Sequence, residues 1–143
     1  AAKFYTSTGL IAHPLRSPTD ETAGKSAGKA PVLPNYNSLT ESAPMQKFTG
    51  GRNIGVVCGA NSDLTVIDID YYFRGLWDYI FENCDTRQFV KQFHTEKRWH
   101  WLFRYCETLA AKQYQELGFD ILTNGSNCVM SPSVHMDGSQ YQT

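Results

Sequence analysis

The chain has 143 residues, of which 41% are hydrophobic and 13% aromatic, and this is enough for a single domain with one hydrophobic core. Its formal net charge of -1 excludes the strong overall positive charge by which composition alone identifies a nucleic-acid-binding protein. The sequence has no apolar run near the roughly 20 residues that span a bilayer and no secretory signal. We therefore expect an intracellular protein without a membrane segment.

The N-terminal third is rich in residues that favour turns. Residues 6–51 contain five of the six prolines and many glycine, serine, threonine and asparagine residues. Residues 1–52 are therefore predicted to form loops and short elements. Residues 53–143 are predicted to form a regular sheet module within the same domain.

Two short apolar runs open this module. Residues 53–59 and 64–70 are rich in β-branched side chains and are joined by the polar residues 60–63, a pattern that predicts a β-hairpin. Residues 75–84 then have apolar side chains at helical spacing. This spacing predicts a helix that could extend toward Val90.

The segment over residues 99–105 alternates strictly. Aromatic side chains occupy every second position, and His100, Leu102 and Arg104 lie between them. Because successive side chains of a strand point to opposite faces, the pattern predicts a strand with its aromatic face in the core.

A second helix is predicted over residues 108–117. Thr108 is a suitable N-cap, the following residues are good helix formers, and Gly118 is placed to end the helix. The runs at residues 119–123 and 127–135 follow, and they are joined by a turn that contains an Asn-Gly pair. They predict a second hairpin.

The order of these elements predicts an α+β fold. An antiparallel sheet would carry helices on one face, with the loop-rich part as an N-terminal extension. The other face of the sheet would be free to carry the active site.

Three aspartates interrupt apolar strand patterns. In residues 64–70 the alternation puts Asp68 and Asp70 on one face, about 7 Å apart at the backbone. A buried carboxylate without a partner is costly, and neighbouring carboxylates are suitable ligands for hard cations such as Mg²⁺. The alternative is that these acids only end a strand at a turn.

Asp120 is the third of these acids, because it lies between Phe119 and Ile121 in another short apolar run. A third metal ligand on a neighbouring strand is the most economical explanation. A structural ion pair with Arg104 is the alternative.

Basic residues are expected beside the acidic face. His100 follows Lys97 and Arg98 in the chain, and imidazole, ammonium and guanidinium groups together can bind a triphosphate. A single histidine is more often structural, so that alternative stays open.

These residues resemble the archaeo-eukaryotic primase superfamily, and within it the bifunctional primase-polymerase N-terminal family of plasmids, phages and viruses. The segments that carry the resemblance span most of the chain, and they are residues 28–32, 53–59, 64–70, 95–103 and 118–141. Each segment is weakly specific alone, whereas their order along the chain is specific.

The resemblance implies the archaeo-eukaryotic primase fold with an RRM-like antiparallel sheet, and an activity of template-directed primer synthesis and DNA polymerisation. It implies that Asp68, Asp70 and Asp120 are catalytic and hold two Mg²⁺ or Mn²⁺ ions. It also implies that His100 contacts nucleotide phosphates. The partners would be a DNA template and primer, with dNTP or NTP substrates.

The chain departs from the family pattern in two places. Residues 96–99 stand where relatives often have a glycine-rich stretch, so Lys97 and Arg98 are expected to supply phosphate contacts there. Relatives often have two prolines before the residue that corresponds to Ser133, and this chain has one. Ser133 and His135 are expected to line the nucleotide site, with a turn-stabilising role as the alternative.

The resemblance further implies the catalytic core of a larger replication protein, with a C-terminal helicase domain and a viral, phage or plasmid replicon as its source. Two other functions stay open from the residues alone. One is a metal-dependent nuclease or phosphodiesterase, which uses the same chemistry with water as the nucleophile. The other is a non-catalytic nucleic-acid-binding module in which the acids are structural.

Overall fold

The computed structural model describes residues 1–70, 78–79, 82–83, 90–95 and 98–143. In these parts the chain has few helical residues and two antiparallel sheets, so the predicted α+β class is confirmed. The strands are β1 Ala12–Pro14, β2 Ile54–Val57, β3 Thr65–Ile69, β4 Val90–Thr95, β5 Arg98–Phe103, β6 Lys112–Tyr114, β7 Phe119–Leu122 and β8 Asn127–Met130. The helix α1 spans Ala2–Ser7, and single 3₁₀ turns lie at Glu21–Ser26, Tyr36–Ser38, Met45–Lys47, Ala60–Ser62 and Gln115–Leu117.

The strands divide between a small and a large sheet. The small sheet has the order β1-β2-β8, and the large sheet has the order β4-β5-β3-β7-β6. All neighbouring strands are antiparallel. The loop-rich N-terminal part contributes α1 and β1, and β1 pairs with β2.

Neither predicted hairpin forms a paired ladder, although the strands of both exist. The first is closed only by a single antiparallel bridge between Gly59 and Leu64. β2 and β3 lie in different sheets, and so do β7 and β8. Gly59, two residues after the end of β2, has a φ of +99°, and the 3₁₀ turn at Ala60–Ser62 then directs the chain toward the large sheet. The turn predicted at Asn124–Gly125 is present, because the Ser126 amide donates to the Thr123 carbonyl. Each connection therefore links the two sheets.

The helix predicted over residues 108–117 is also wrong. Its residues form the edge strand β6 and a 3₁₀ turn at Gln115–Leu117. Pairing with β7 and stacking of Tyr114 on Phe119, with ring centroids 4.9 Å apart, outweigh the helix propensity. Gly118 does end the turn in a left-handed conformation, as its position predicted.

The remaining elements are confirmed in part. β5 lies where a strand was predicted but ends at Phe103. In the segment predicted as a helix, residues 78–79 and 82–83 are helical, and its other residues lie outside the described ones. Val90 begins the strand β4 and does not continue a helix.

The principal core lies between the two sheets. Its buried residues are Ala2, Tyr5, Ala12, Val56, Cys58, Leu64, Val66, Cys128 and Met130, with Leu102 and Leu122 packed against them. A second cluster covers the opposite face of the large sheet, and it contains Ile67, Ile69, Trp99, Trp101, Phe103 and Phe119. The aromatic face of β5, which was predicted to lie in the core, therefore lies in this second cluster, whereas Leu102 on its other face packs against the principal core.

The expectation that one sheet face belongs wholly to chemistry needs correction. Val66 and Asp68 share a face of β3 by alternation, and Val66 is fully buried in the principal core. Only the far end of that face is polar. None of the described helices is long and apolar enough to cross a membrane. The RRM-like arrangement of the sheet, and the division at residue 52, stay predictions.

Candidate active site

A row of polar residues crosses the large sheet at one level. Asp68 on β3 lies directly opposite His100 on β5 and directly opposite Asp120 on β7. The same register places Gln113 of β6 opposite Asp120. Directly opposite residues of antiparallel strands point to one face with Cβ atoms about 5 Å apart. The register therefore brings the two predicted acids and the predicted histidine together.

His100 is held from three sides. Its Nε2 lies 3.3 Å from Oδ1 of Asp68, and its Nδ1 lies 3.2 Å from Sγ of Cys128. The ring of Tyr141 packs against the imidazole with centroids 5.4 Å apart. Burial raises the pKa of the Cys128 thiol well above its ordinary value, so the thiol stays protonated. The Sγ of Cys128 also lies 3.4 Å from the Val129 carbonyl, to which the thiol can donate. Because an ionised carboxylate can only accept, the contact with Asp68 requires a proton on Nε2 of His100.

Asp68 stays ionised in this setting. Burial raises the pKa of its carboxyl group, but the hydrogen bond from His100 and the charges of Lys29 and Arg98 outweigh burial and lower it overall. About a third of its side chain, 34%, remains exposed. The carboxylate is therefore negative and accessible from solvent.

Asp120 and Asp70 lie on the other side of Asp68. Both line a recess of about 140 Å³ together with Gln113, and the Nε2 of Gln113 lies 3.3 Å from Oδ2 of Asp120. The Asp70 amide donates to the Gly118 carbonyl at 2.9 Å, which ties the end of β3 to the start of β7. Burial, and then the negative charges of Asp68 and Asp70, raise the pKa of Asp120. The three carboxylates are thus close enough to repel one another.

This donor set fits a hard divalent cation. Carboxylate oxygens are the ligands that Mg²⁺ and Mn²⁺ prefer, and a cation would relieve the repulsion that raises the pKa of Asp120. Within the described residues, no three His, Cys, Asp or Glu side chains are already arranged as a metal site. Mg²⁺ and Mn²⁺ bound to few carboxylates usually keep several waters, so a closed protein cage is not required.

The basic residues of the site come from separate segments. Arg98 is exposed at the start of β5, two residues from His100 and on the same face by alternation. Lys29 comes from the N-terminal part, and its charge also acts on Asp68. Lys97, which was predicted to contact phosphates, lies outside the described residues.

Ser133 and His135 make structural contacts. The buried Ser133 hydroxyl accepts the Ile54 amide proton at 2.9 Å and lies 3.3 Å from the Ile54 carbonyl. Nδ1 of His135 lies 3.1 Å from Oδ2 of Asp137, within a tight turn. Both residues belong to the segment that leads to Tyr141, whose ring packs against His100. Their predicted nucleotide contacts stay predictions.

The alternative explanation of Asp120, an ion pair with Arg104, is wrong. Phe103 pairs with Thr65, so Arg104 lies at the opposite end of β3 from Asp68. Four residues along the strand separate Arg104 from the level of His100, which is about 13 Å. The described neighbour of Asp120 is Gln113.

Sequence reasoning missed three residues of this site. Cys128 and Tyr141 hold the His100 ring, and Gln113 contacts Asp120. Cys128 and Gln113 could not be found without the pairing of strands, because they come from β8 and from a segment predicted as helix. Tyr141 lies in a motif that carried the resemblance, and its aromatic ring was the available signal.

Comparison with known proteins gives evidence that is independent of the geometry of the site. No curated protein sequence matches the chain. A protein-family model described as bifunctional DNA primase/polymerase, N-terminal, matches residues 2–143 and indicates DNA primase/polymerase activity. Since this match covers nearly the whole chain, the protein belongs to the family of bifunctional DNA primase/polymerase N-terminal domains.

Proposed function

We propose that the chain catalyses template-directed nucleotidyl transfer in DNA replication, both to synthesise primers and to extend them. The observation that carries this proposal is the row in which Asp68 stands between His100 and Asp120, in a chain of the primase/polymerase family. The substrates would be dNTPs or NTPs on a DNA template and primer.

In this proposal Asp68, Asp70 and Asp120 hold two Mg²⁺ or Mn²⁺ ions. Bound there, the ions would lower the pKa of the attacking 3′-hydroxyl group and neutralise charge on the triphosphate. The donor set supports this, because the three acids lie in or directly after two adjacent strands. Burial raises the pKa of Asp120, and the charges of Asp68 and Asp70 raise it further.

The other residues of the site would position the reacting groups and neutralise the charge of the phosphates. His100 donates from Nε2 to Asp68 and so fixes the direction of that carboxylate. We propose that His100 also contacts phosphate oxygens once a nucleotide is bound, with Arg98 as a second phosphate contact. Catalysis would then rest on positioning and on charge stabilisation.

Primer extension tests the activity. The chain is incubated with a labelled primer on a DNA template, dNTPs or NTPs, and Mg²⁺ or Mn²⁺, and the product lengths are resolved. We expect template-dependent extension that Asp120→Asn abolishes. Degradation without extension would instead indicate a nuclease, and binding with neither reaction would indicate a non-catalytic module.

Metal binding is tested separately by isothermal titration with Mn²⁺. The double variant Asp68→Ala, Asp70→Ala should lose the binding that the parent chain shows. Unchanged affinity for Mn²⁺ in this variant would contradict the assignment of the metal ligands, whatever the extension assay gives.

Two wider points stay proposals that rest on the resemblance. One is that residues 1–143 act as a single catalytic core of a larger replication protein. The other is that a helicase domain works with this core, in the replicon of a virus, phage or plasmid.

A further inference from the structure

One segment that carried the resemblance, residues 28–32, contributes to the site described so far only through the charge of Lys29. Gly28 in this segment is buried, whereas the next residue, Lys29, is exposed. Gly28 has a φ of +75°, and a Cβ there would lie 2.9 Å from Nδ2 of Asn53 and 3.1 Å from the Val134 carbonyl oxygen. Only glycine allows the loop to approach these groups so closely.

Asn53 joins this loop to the C-terminal segment. Its side chain is almost fully buried, with 5% exposure. Nδ2 donates to the carbonyls of Gly28, at 2.9 Å, and of Val134, at 2.6 Å. Oδ1 accepts the Val134 amide proton at 2.9 Å. One amide group therefore satisfies three backbone groups from two segments that are distant in the sequence.

The C-terminal segment leads directly to the candidate active site. Val134 forms a bridge with Gln140, and the Tyr141 amide donates to the Ser133 carbonyl at 2.9 Å. The Tyr141 ring then packs on His100, which contacts Asp68. A continuous series of contacts thus runs from the Gly28 loop to the polar row.

We infer that Lys29 is a binding residue for the triphosphate of the incoming nucleotide, and that Asn53 is the positioning residue that holds its loop beside the row. The inference rests on the proposed function and names one further contact of its substrate. Lys29 and Arg98 would approach the phosphates from two separate segments. The contacts that lead from Gly28 through Asn53 and Val134 to Tyr141 and His100 support this position.

Lys25 provides a matched control. It is an exposed lysine four residues earlier in the same part of the chain, at the end of a 3₁₀ turn. It belongs to the 3₁₀ segment Glu21–Ser26, whereas the carbonyl that Asn53 holds is that of Gly28, next to Lys29. A loss of general positive charge would therefore affect Lys25→Ala and Lys29→Ala equally, whereas a specific contact would affect only the second.

The test measures binding of a dNTP to the whole chain in the presence of Mn²⁺, with the corresponding deoxynucleoside as the comparison. Because a charged hydrogen bond to phosphate is lost, Lys29→Ala should weaken dNTP binding by about tenfold or more. Deoxynucleoside binding should not change, Lys29→Arg should restore most of the dNTP affinity, and Lys25→Ala should bind as the parent does. In extension assays KM for the dNTP should rise more than kcat falls.

The positioning role of Asn53 is tested with Asn53→Asp. This substitution keeps the acceptor for the Val134 amide but removes both donors and sets a charge against two carbonyls. We expect dNTP affinity to fall as in Lys29→Ala, and the double variant to bind no more weakly than the weaker single variant. Additive losses in the double variant would overturn the positioning role. If Asn53→Asp does not fold, Gly28→Ala, which crowds the same contact, replaces it in the cycle.

Failure of this inference can be distinguished from failure of the proposed function. Equal dNTP affinity in Lys29→Ala and the parent, or an equal loss in Lys25→Ala, overturns the role of Lys29 even if primers are extended. No measurable dNTP binding by the parent also overturns it. Lys29-dependent dNTP binding in a chain that extends no primer supports the inference and contradicts the polymerase activity.

Discussion

The two sheets each contain a buried histidine, and the two histidines have opposite surroundings. His13 on β1 is fully buried and lies opposite Gly55 of β2. His100 on β5 is also buried but lies opposite Asp68 of β3. His13 therefore lies opposite a residue without a side chain, whereas His100 lies opposite a carboxylate.

The difference decides what each imidazole does. The His13 ring stacks on Tyr36, with centroids 5.1 Å apart, and fills the space above Gly55. Among the described residues, neither of its ring nitrogens has a hydrogen-bond partner of good geometry. His100, in contrast, has Asp68 at one nitrogen and Cys128 at the other. One histidine is a packing group, and the other is part of a chain of polar groups that reaches solvent through Asp68.

The largest expected effect comes from removing the charge opposite His100. Asp68→Asn keeps the shape of the side chain but removes a metal ligand, so extension activity should fall at least about a thousandfold. The free energy of unfolding should change little, since the side chain is partly exposed. Activity is measured as kcat/KM, and unfolding by circular dichroism in urea.

Asp63→Asn is the matched control for that variant. Asp63 precedes β3, and its Oδ1 accepts the Tyr105 amide proton at 3.2 Å, a contact that asparagine retains. Asparagine also tolerates the left-handed conformation at this position, where φ is 48°. Equal activity losses in Asp63→Asn and Asp68→Asn would contradict the special role of the polar row.

The second largest expected effect is a fall in the free energy of unfolding at acidic pH, which arises from the buried His13. Burial lowers its pKa from 6.5 to about 4, and the Pro14 carbonyl opposes this only in part. Above pH 6.5 the imidazole is neutral in both the folded and unfolded chain. Between pH 6.5 and about 4 only the unfolded chain binds the proton, so the free energy of unfolding should fall by roughly 3 kcal/mol as the pH is lowered.

Urea unfolding at several pH values checks this dependence. His13→Phe keeps a ring against Tyr36 and removes the titrating group, so its stability should depend much less on pH in this window. Carboxylates with a lowered pKa, such as Asp20 and Asp137, lose their contribution only below about their ordinary value of 3.8. An unchanged slope in His13→Phe would show that His13 is not the cause.

The sequence predicted which face of a strand a side chain occupies better than it predicted which strands are neighbours in a sheet. The alternation around Asp68 correctly placed it on the face opposite Ile67 and Ile69, because side-chain direction is a local property of a strand. That Asp120 lies on a strand next to Asp68 was predicted and is confirmed. The register that sets Asp68 directly opposite both His100 and Asp120 could not be predicted, since it depends on contacts between distant segments. Both hairpins failed for this reason, because proximity in sequence was taken as proximity in the sheet.

His13 and β6 show two further limits. His13 lies in a proline-rich segment without any period, so nothing local indicated that it would be fully buried. The residues of β6 have good intrinsic helix propensity, and only the edge of β7 makes a strand preferable. The site residues carried by the resemblance were found, whereas those that support them, such as Cys128 and Asn53, required the fold.

A smaller effect is expected from filling the space above Gly55. A Cβ at this position would lie 2.8 Å from Nε2 of His13 and 2.8 Å from Cδ2 of Leu15. His13 and Leu15 are fully buried and have no room to move. Gly55→Ala should therefore lower the free energy of unfolding by about 2 kcal/mol through overpacking.

The double variant Gly55→Ala, His13→Ala identifies the cause of that loss. Truncation of the imidazole removes the close contacts with Nε2 and Cε1 of His13 and leaves the one with Leu15. Gly55→Ala should therefore cost less in the His13→Ala background than in the parent. The measurement is urea unfolding at pH 7.5, where His13 is neutral in both states. Equal costs in the two backgrounds would attribute the loss to Leu15 or to the backbone of β2.

The smallest expected effect concerns the second partner of His100. Cys128→Ala removes the thiol that lies 3.2 Å from Nδ1, whereas Cys128→Ser leaves a donor in its place. A weak hydrogen bond is lost in the first variant, so kcat should fall by about threefold, with KM for the dNTP nearly unchanged. The serine variant should retain most of the parent's kcat even if burial of the hydroxyl lowers its stability. If both variants lost the same activity, packing of the sulfur rather than its contact with Nδ1 would explain the effect, and Asp68 and Tyr141 would still hold His100.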